Sequence, residues 1–505
     1  MKLLRSINRH QQIPNAATML IIAASVFIFT PRPVSATQAD ETSVVYLGGK
    51  SGGTPFIRQL NFKVIPVANL RSVQFTVQPK PGSVTRPISA TYSNGYLSSR
   101  GYLDPNGEMH VFVFGLYDDF VNSVTMNYVF NDRSSKQAFI SLPTGVFPDP
   151  CGYKQPTVVK PRTRSTNFSY DFMMLKDSCS KFSPALMDTD GELRWVGTAG
   201  VSNYASAFYD NAIYIGSGPQ LLRIDLDGTV NLLADYSNLG VTQLHHNIDP
   251  GKHGLLIEVD TNTDIESVIL EVKKDGTVRR RWDMYKIIEK AMRAGGDDPS
   301  AFVRRGADWF HNNSVTYRAS DDSLLVSSRE NFVIALDYRS STIKWILGDT
   351  SKAWYQYPSL RKYALNVPSG GVAPIGQHAL SVTYDDHLLL FDNGFPSFNH
   401  VPSGDRRKYA TPRKYSLDLT NNTATQIYSY NRSIISEICS SVYEDYPDNY
   451  LVDYAVSGSY QSGHPFARIV GLQAGGAKVF DYEYPTHFCD EIFNAFPIHL
   501  EDLSF

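Results

Sequence analysis

Three histidines occupy equivalent places in three similar stretches of the sequence. The stretch His311-Asn-Asn-Ser-Val-Thr-Tyr317 aligns without gaps with His378-Ala-Leu-Ser-Val-Thr-Tyr384, and an acidic turn and a leucine-rich strand follow both. A shorter third copy begins at His246. A neutral imidazole is a nucleophile, and because it titrates near neutral pH it also serves as a general acid or base. The repeated position marks His246, His311 and His378 as candidate catalytic residues.

Two further polar residues accompany these histidines on the predicted strands. Asn313 lies two residues beyond His311 and therefore shares its strand face, whereas His245 is expected to face away from His246. Arg329 ends the leucine-rich strand that follows. Because a guanidinium matches a tetrahedral oxyanion in charge and geometry, Arg329 beside three histidines predicts a site that binds such an oxyanion.

The same residues are compatible with two other functions. His246, His311 and His378 suit zinc or copper as ligands, which would make the protein a metal-dependent hydrolase or oxidase. Retention of activity in the presence of a chelator would argue against a metal-dependent enzyme. The other alternative is a non-catalytic extracellular binding module, which an activity assay would separate from an enzyme.

The elements that must position these residues repeat along the chain. An apolar strand, an acidic or polar turn and a second strand recur six times, and Asp-Gly between alternating runs is a strong hairpin signal. Six such units predict an all-β fold, a six-bladed β-propeller with insertions in its loops. Equivalent positions of successive blades lie around one axis, so the three imidazoles are expected to meet at the central channel. The six hairpins cover residues 185–195, 222–230, 269–278, 333–345, 415–425 and 468–479.

The sequence divides into four parts. Residues 1–36 combine basic residues, an apolar stretch and small residues before a cleavage point, which predicts a signal peptide, with an uncleaved membrane anchor as the alternative. Short alternating strands over 42–147 predict a small N-terminal β-sandwich. A Pro-rich linker, 148–165, leads to the propeller at 166–505. The one convincing helical pattern, 284–292, is expected to be an insertion between blades.

Export makes the four cysteines informative. In an oxidising compartment, secreted or periplasmic, two disulfides are expected rather than a metal site. Among the three connectivities we favour Cys151–Cys179 and Cys439–Cys489, because each pair is nearest along the chain. The formal net charge is −3 and no long block of like charge occurs, so nucleic acid is not an indicated partner.

Several blocks of the sequence resemble those of bacterial arylsulfate sulfotransferases. They cover most of the chain after the signal segment, in the same order as in that family. The blocks are Gly115–Tyr117, Ala185–Gly191, Asp308–Tyr317, Ser327–Arg329, Gly348-Asp349, Gln377-His378 and Leu389–Gly394.

The resemblance implies a six-bladed propeller with an N-terminal β-sandwich, commonly a dimer, exported from the cytoplasm. It also implies sulfate transfer from an aryl sulfate donor to a phenolic acceptor, independent of PAPS, with no cofactor and no metal. Carried onto matching positions, His378 is the nucleophile. Attack of a neutral His378 on the sulfur of an aryl sulfate would form a sulfohistidine, the intermediate of a ping-pong reaction. The residues that would bind or protonate around it are His246, His311, Asn313 and Arg329, and the resemblance does not assign the acid and the base.

The chain departs from the family at one point. Some members carry a short disulfide just before the nucleophilic histidine, but this chain has no cysteine between Ser351 and Gln377. Dependence on a dedicated thiol oxidase is therefore not carried over.

Overall fold

The computed structural model describes residues 42–164, 168–458 and 465–505. The signal peptide predicted at 1–36 lies outside the described residues. Within the described ranges, no helix combines the length and the apolar character that crossing a membrane requires. Strands dominate throughout, as the sequence predicts.

The N-terminal part of the described chain is a sandwich of two sheets. Alternating residues such as Phe75 on one sheet and Leu60 on the other are fully buried and share one hydrophobic core, which confirms the predicted β-sandwich. The strands, in the orders β1-β2-β5 and β4-β3-β6-β7, are β1 (Ser43–Ser51), β2 (Ile57–Ile65), β3 (Leu70–Val77), β4 (Ile88–Ser93), β5 (Glu108–Phe114), β6 (Val121–Phe130) and β7 (Ser135–Pro143).

Six antiparallel sheets of four or five strands follow the sandwich. The strands of the first three are β9 (Phe172–Lys176), β10 (Ala185–Asp188) and β11 (Leu193–Val196), then β12 (Ser206–Tyr209), β13 (Ala212–Ser217), β14 (Gln220–Asp225) and β15 (Val230–Asp235), then β16 (Val241–Pro250), β17 (Leu255–Thr261), β18 (Val268–Val272) and β19 (Val278–Asp283). A short strand, β8 (Thr157–Lys160), precedes them.

The other three sheets are also antiparallel, and most of their strands pair in chain order. Their strands are β20 (Asn312–Arg318), β21 (Ser323–Ser328), β22 (Val333–Asp337) and β23 (Ile343–Leu347), then β24 (His378–Val382), β25 (Leu388–Asp392), β26 (Thr411–Asp418) and β27 (Thr423–Ser429), then β28 (Ser441–Tyr446), β29 (Asn449–Ser457), β30 (Phe466–Gln473) and β31 (Ala477–Pro485). The last strands of the chain are β32 (Asn494–Ile498) and β33 (Leu503–Ser504).

The six predicted hairpins are the outer strand pairs of these sheets. The hairpin β10–β11 is the first of them and β30–β31 the last. Consecutive inner strands contact one another, which is the arrangement of a β-propeller. In order of contact, these strands are β12, β16, β20, β24, β28 and β32. Six blades is our interpretation of these six sheets.

Strands from distant parts of the chain join the two ends of the propeller. The C-terminal strand β32 pairs with β9 in the first sheet, and β8, inside the predicted linker, pairs with β31 in the last. The final strand β33 returns to the sandwich and lies parallel to β4. Strand pairing therefore crosses the boundaries proposed at 147 and 166: the linker adds a strand to the propeller, and the C-terminal strand β33 adds one to the sandwich.

Helices are few among the described residues. They are α1 (Asn94–Ser99), α2 (Met284–Ala294) and α3 (Pro358–Arg361), with single 3-10 turns at Val67–Asn69, Ser237–Leu239, Ala353–Gln356 and Ala474–Gly476. Helix α2 is the predicted insertion between two sheets. The Asp283 side chain caps its N-terminus by accepting from the Lys286 amide, and Met284, Ile288 and Met292 bury one face.

Both predicted disulfides are present. Cys151 is bonded to Cys179, with Cα atoms 5.8 Å apart, and Cys439 to Cys489, with Cα atoms 6.6 Å apart. No free cysteine occurs in the chain. Each bond cross-links segments that are near in sequence, as predicted.

A buried arginine connects the sandwich to the first propeller sheet, and its loss is expected to destabilise the protein. Arg194 is fully buried, pairs with Asp188 at 3.0 Å, and donates twice to the Gly115 carbonyl at 2.7 and 3.1 Å. Arg194→Met would leave Asp188 buried without its counter-charge. We expect urea unfolding to report a loss of about 3–5 kcal/mol.

The double variant Asp188→Asn with Arg194→Met is the control for this prediction. It removes the unpaired buried charge of Asp188, so part of the lost stability is expected to return. Equal losses in the single and double variants would show that packing of the arginine stem, and not the ion pair, stabilises this junction.

Candidate functional site

The three candidate histidines lie at the starts or bulges of adjacent inner strands. His246 is inside β16, His311 directly precedes β20, and His378 is the first residue of β24. The backbone is left-handed at His246 (φ 49°) and at His311 (φ 54°), and the pairing register shifts beside all three residues. Bulges of this kind redirect a side chain away from the regular pleat, here into the space between the strands.

One cavity of about 310 Å³ brings together four of the five predicted site residues. His246, His311, His378 and Arg329 all line it, and the rings of His246 and His311 have centroids 4.8 Å apart. The remaining lining residues are Tyr204, Glu266, Phe398, Ile438, Cys439, Phe488, Cys489, Asp490 and Phe493. The lining therefore combines four tyrosine or phenylalanine rings with histidines and charged side chains.

Asn313 is the predicted site residue that does not line this cavity. Its side chain is buried and donates through Nδ2 to the Gln377 carbonyl at 2.8 Å. It thus supports the backbone directly before His378. The register shift between Asn312 and Ser314 interrupts the strand alternation on which the expected shared face with His311 rested, and Asn313 contacts the neighbouring strand instead.

His378 is held as a neutral ring with a defined tautomer. Its Nδ1 lies 2.8 Å from Asn393 Oδ1 and 3.3 Å from the Gly376 carbonyl oxygen. A carbonyl can only accept, so Nδ1 carries the proton and Nε2 keeps its lone pair. Burial, together with the nearby charges of His311 and Arg329, lowers the pKa of His378 to about 3. The ring is neutral at physiological pH.

His311 has the opposite electrostatic character. Its Nδ1 contacts Glu266 and lies 2.7 Å from Asp308 Oδ2. Burial lowers the pKa of the ring, but these two carboxylates outweigh burial and raise the pKa to about 9. His311 is therefore protonated at neutral pH, a cation near the neutral ring of His378.

His246 is buried and neutral. Burial, with help from His311 and His245, lowers its pKa well below the ordinary value. Its Nδ1 lies 2.8 Å from Nδ1 of His245, so the expectation that His245 faces away is wrong. The left-handed residue at His246 interrupts the strand alternation on which that expectation rested.

Arg329 is held in place by the groups around it. Its guanidinium pairs with buried Glu330 at 2.6 Å and stacks on Phe398, with 4.4 Å from the guanidinium carbon to the ring centroid. Its Nε has no partner among the described residues. Lys352, also buried, donates to the Arg329 carbonyl at 2.8 Å. The side chain is fixed and keeps one donor free.

Several site residues were missed from the sequence. Asp308 and Asn393 lie in two of the sequence blocks that resemble the arylsulfate sulfotransferases, and their presence in those blocks could have marked them as site residues. Glu266 follows β17 in a turn with no motif. The Asn312 amide donates to the Glu266 carbonyl at 2.8 Å, and the Glu266 amide donates to Asp260 Oδ1 at 2.8 Å. Burial raises the pKa of Glu266, but His246 and His311 hold it below the ordinary value.

The cavity also contains a group with the spacing of metal ligands. One ligand atom each of His246, Glu266 and His311 lies within 4.8 Å of the others. Two histidines and a carboxylate suit a transition-metal ion such as zinc. Among the described residues His378 is outside this group, so the three-histidine ligand set considered from the sequence is not the one that the geometry favours.

The fold and the cavity define a β-propeller protein with three histidines and an arginine in one cavity. The family model described as Arylsulfotransferase (ASST) matches residues 157–492, and that of the Arylsulfotransferase Ig-like domain matches residues 64–144. The chain belongs to the arylsulfotransferase family.

Two curated relatives are similar over part of the chain. Arylsulfate sulfotransferase AssT of Escherichia coli O6:H1 is 29% identical over 215 residues, 34% of this chain and 35% of that protein. Arylsulfate sulfotransferase AssT of Lelliottia amnigena is 25% identical over 213 residues, 33% of this chain and 35% of that protein. The chain thus spans about a third of the length of these relatives.

Solved structures show weaker similarity. The Cps50 (Swd1) β-propeller domain of Myceliophteria thermophila has a TM-score of 0.33 at 12% identity, covering 65% of this chain and 90% of that one. BamB from Moraxella catarrhalis has a TM-score of 0.28 at 10% identity with the same coverage of both chains. The propeller assignment accordingly rests on the sheet order of the chain itself.

Proposed function

We propose that the protein transfers a sulfuryl group from an aryl sulfate to a phenol in two steps, through a sulfohistidine at His378. The observation that carries the proposal is a neutral His378 with a free Nε2, beside a protonated His311 and the guanidinium of Arg329. Membership of the arylsulfotransferase family supports sulfate as the transferred group.

In the first half-reaction the Nε2 lone pair of His378 forms a bond to sulfur while the bond from sulfur to the aryl oxygen breaks. The departing oxygen takes the bonding electron pair and receives a proton from His311. By analogy with phosphoryl transfer, charge is spread over the three equatorial oxygens, where Arg329 stabilises it. The first phenol then leaves.

In the second half-reaction the roles reverse. His311, now neutral, accepts the proton of the incoming phenol, and the phenol oxygen attacks sulfur. The nitrogen–sulfur bond breaks, its electron pair returns to Nε2 of His378, and His311 is again protonated. Protons and charges balance over the two halves without a cofactor.

The two remaining histidines differ in their proposed roles. His311 is the acid and base because its pKa is raised to about 9, whereas His246 stays neutral. His246 would donate a hydrogen bond to the sulfuryl group through the ring nitrogen that does not face His245. The aromatic side of the cavity, with Phe493 stacked on Tyr204 at 4.3 Å, would hold the phenol ring.

The test is an assay with a chromogenic aryl sulfate and a phenol acceptor, in the presence of EDTA. Sulfated acceptor and parallel double-reciprocal plots are expected. Loss of activity in EDTA with recovery on zinc would favour the metal-dependent alternative, which the group of His246, Glu266 and His311 keeps open. Absence of turnover with any aryl sulfate would favour the binding module.

The rate of the first half-reaction is expected to fall at alkaline pH. Its acid, His311, is needed in the protonated form, which is lost as pH rises through about 9. Glu266 makes the largest contribution that raises this pKa, so Glu266→Gln is expected to move the alkaline limb to lower pH. Rapid-quench measurement of sulfuryl-protein formation against pH checks this, and an unmoved limb in Glu266→Gln contradicts it.

His311→Gln is expected to depend on the leaving group. General acid catalysis is worth roughly 10²–10⁴ when the leaving phenolate is basic, so the rate with phenyl sulfate should fall by that factor. Nitrophenyl sulfate needs little protonation, and its rate should change much less. A uniform loss with both donors would assign His311 to binding instead.

Two wider properties remain proposals. Two disulfides support export to an oxidising compartment, secreted or periplasmic. The homodimer implied by the family resemblance stays a prediction that light scattering would check.

A further inference from the structure

Asn393 lies directly after β25 and contacts the ring of His378. It is buried and is not one of the residues that line the cavity. Its Oδ1 is the nearer of the two acceptors of His378 Nδ1, at 2.8 Å. Its Nδ2 donates to the carbonyl oxygens of Ser436 at 2.7 Å and Cys439 at 3.1 Å.

We infer that Asn393 is a positioning residue that keeps Nε2 of His378 unprotonated, and that the Cys439–Cys489 disulfide acts on the reaction through Asn393. The inference rests on the proposed function, in which that nitrogen attacks sulfur. It adds a residue behind the nucleophile and assigns a role to the one disulfide that borders the cavity.

The orientation of the Asn393 amide follows from its neighbours. The carbonyls of Ser436 and Cys439 can only accept hydrogen bonds, so the amide nitrogen must face them and the amide oxygen must face His378. A carbonyl oxygen in turn requires a proton on Nδ1 of His378. The tautomer of the nucleophile is thus dictated by the loop that carries the two carbonyls.

That loop is attached by hydrogen bonds and by the disulfide. The Ser436 hydroxyl accepts from the Val456 amide of β29 at 3.1 Å. Next to Cys439, the Ser440 hydroxyl accepts from the Ala455 amide at 3.0 Å and the Ser440 amide donates to the Phe493 carbonyl at 3.3 Å. These hydrogen bonds are independent of the cysteines.

The disulfide is the covalent attachment at Cys439 itself. The backbone is left-handed at Cys439 (φ 56°) and Cys489 (φ 72°), a conformation that is unfavourable for residues with a Cβ. Loss of the cross-link is expected to loosen the Cys439 carbonyl, with Ser440 limiting the movement, and to retain the carbonyl of Ser436.

The charged groups facing His378 do not replace Asn393. They are His311 and Arg329, both cations that donate and cannot accept from Nδ1. The Gly376 carbonyl, at 3.3 Å, is the other acceptor and is the more distant. Without Asn393 the ring would be free to populate the other tautomer or to rotate.

The first experiment compares Asn393→Leu and Asn393→Asp with the wild type. Imidazole ¹⁵N spectra of the resting protein, with the His378 signals assigned from a His378→Gln sample, report the tautomer without any turnover. Asn393→Leu is expected to show a second population with a proton on Nε2. Its kcat should fall by roughly tenfold, the value of one hydrogen bond, with KM changed little because Asn393 does not touch the cavity.

Asn393→Asp separates a positioning role from a packing role. The aspartate keeps an acceptor for Nδ1 but places its second oxygen against the Ser436 and Cys439 carbonyls, so it is expected to restore the Nδ1-protonated tautomer in part. Its charge should raise the pKa of His378, so that the acid limb of the rate profile moves to higher pH. A merely structural residue would not move that limb. An unmoved limb together with an unchanged tautomer in Asn393→Leu overturns the inference.

The second experiment uses the two disulfides as a matched pair. Cys439→Ser with Cys489→Ser is expected to lower kcat by a smaller factor than Asn393→Leu and to shift His378 ¹⁵N signals in the same direction. Cys151→Ser with Cys179→Ser removes a disulfide that does not border the cavity and should leave both kcat and the signals unchanged. Thermal unfolding of both double variants identifies a simple folding defect.

The outcomes distinguish this inference from the proposed function. If the wild type transfers no sulfuryl group, the proposed function fails, whatever the spectra show. If the wild type transfers sulfate but the Asn393→Leu and Cys439/Cys489 variants keep the wild-type tautomer and kcat, the inference alone fails. Equal effects of the two disulfide pairs would also overturn the role assigned to Cys439–Cys489.

Discussion

His378→Ala is expected to abolish sulfuryl transfer, with kcat reduced on the order of 10⁴-fold or more. The substitution removes the only protein atom that bonds to sulfur in the proposed mechanism, and neither His246 nor His311 can replace it. His311 is protonated, and His246 lies on another strand. Stopped assays with an aryl sulfate and a phenol acceptor measure the effect.

Intact mass provides the direct evidence for this prediction. After mixing with aryl sulfate alone, the wild type is expected to gain about 80 Da, one sulfuryl group, and His378→Ala is expected to gain nothing. The control is His387→Ala, which changes a partly exposed histidine at the far end of the same strand pair. It should keep both the adduct and the activity. An adduct on His378→Ala would move the nucleophile to another residue.

Arg329→Met is expected to lower kcat by roughly 10²–10³-fold. Arg329 is the one arginine or lysine among the described residues that line the cavity, and its effect grows as charge develops on the sulfuryl oxygens. Because the site excludes much of the water, that interaction is stronger than it would be at an exposed surface. KM for the aryl sulfate is expected to rise less than kcat falls.

The buried partner of Arg329 requires its own control. Glu330 is fully buried and pairs with Arg329 at 2.6 Å, so Arg329→Met also leaves a carboxylate without its cation. Adding Glu330→Gln is expected to restore stability while leaving activity low. Recovery of activity in the double variant would mean that Arg329 acts on the fold and not on the transferred group. Arg329→Lys should retain part of the rate.

Much of the architecture was predictable because the signals are local. The turns Asp190-Gly191, Asp227-Gly228 and Asp275-Gly276 each join two alternating runs, and such a turn determines a hairpin within a dozen residues. Pairing of the four cysteines and the helix at Met284–Ala294 were predictable for the same reason. Repetition of one unit then implied that equivalent residues meet around an axis.

The strand pairing that joins the two ends of the propeller could not be predicted from local sequence patterns. Strand β32 pairs with β9, more than 300 residues earlier, and β8 pairs with β31 across a similar separation. Short strands such as Thr157–Lys160 carry little pattern of their own. Their pairing is selected by the open edges of sheets that exist only in the folded protein.

By itself the sequence determined which residue types reach the cavity: His246, His311, His378 and Arg329, through their repeated positions. Only the tertiary structure decided their protonation. Glu266, from a turn without a motif, and Asp308, three residues before His311, make His311 a cation, while burial beside that cation and Arg329 keeps His378 neutral. The reason is physical: residue type is local, but a pKa depends on every charge and on the solvent excluded around it, which the chain assembles from distant segments.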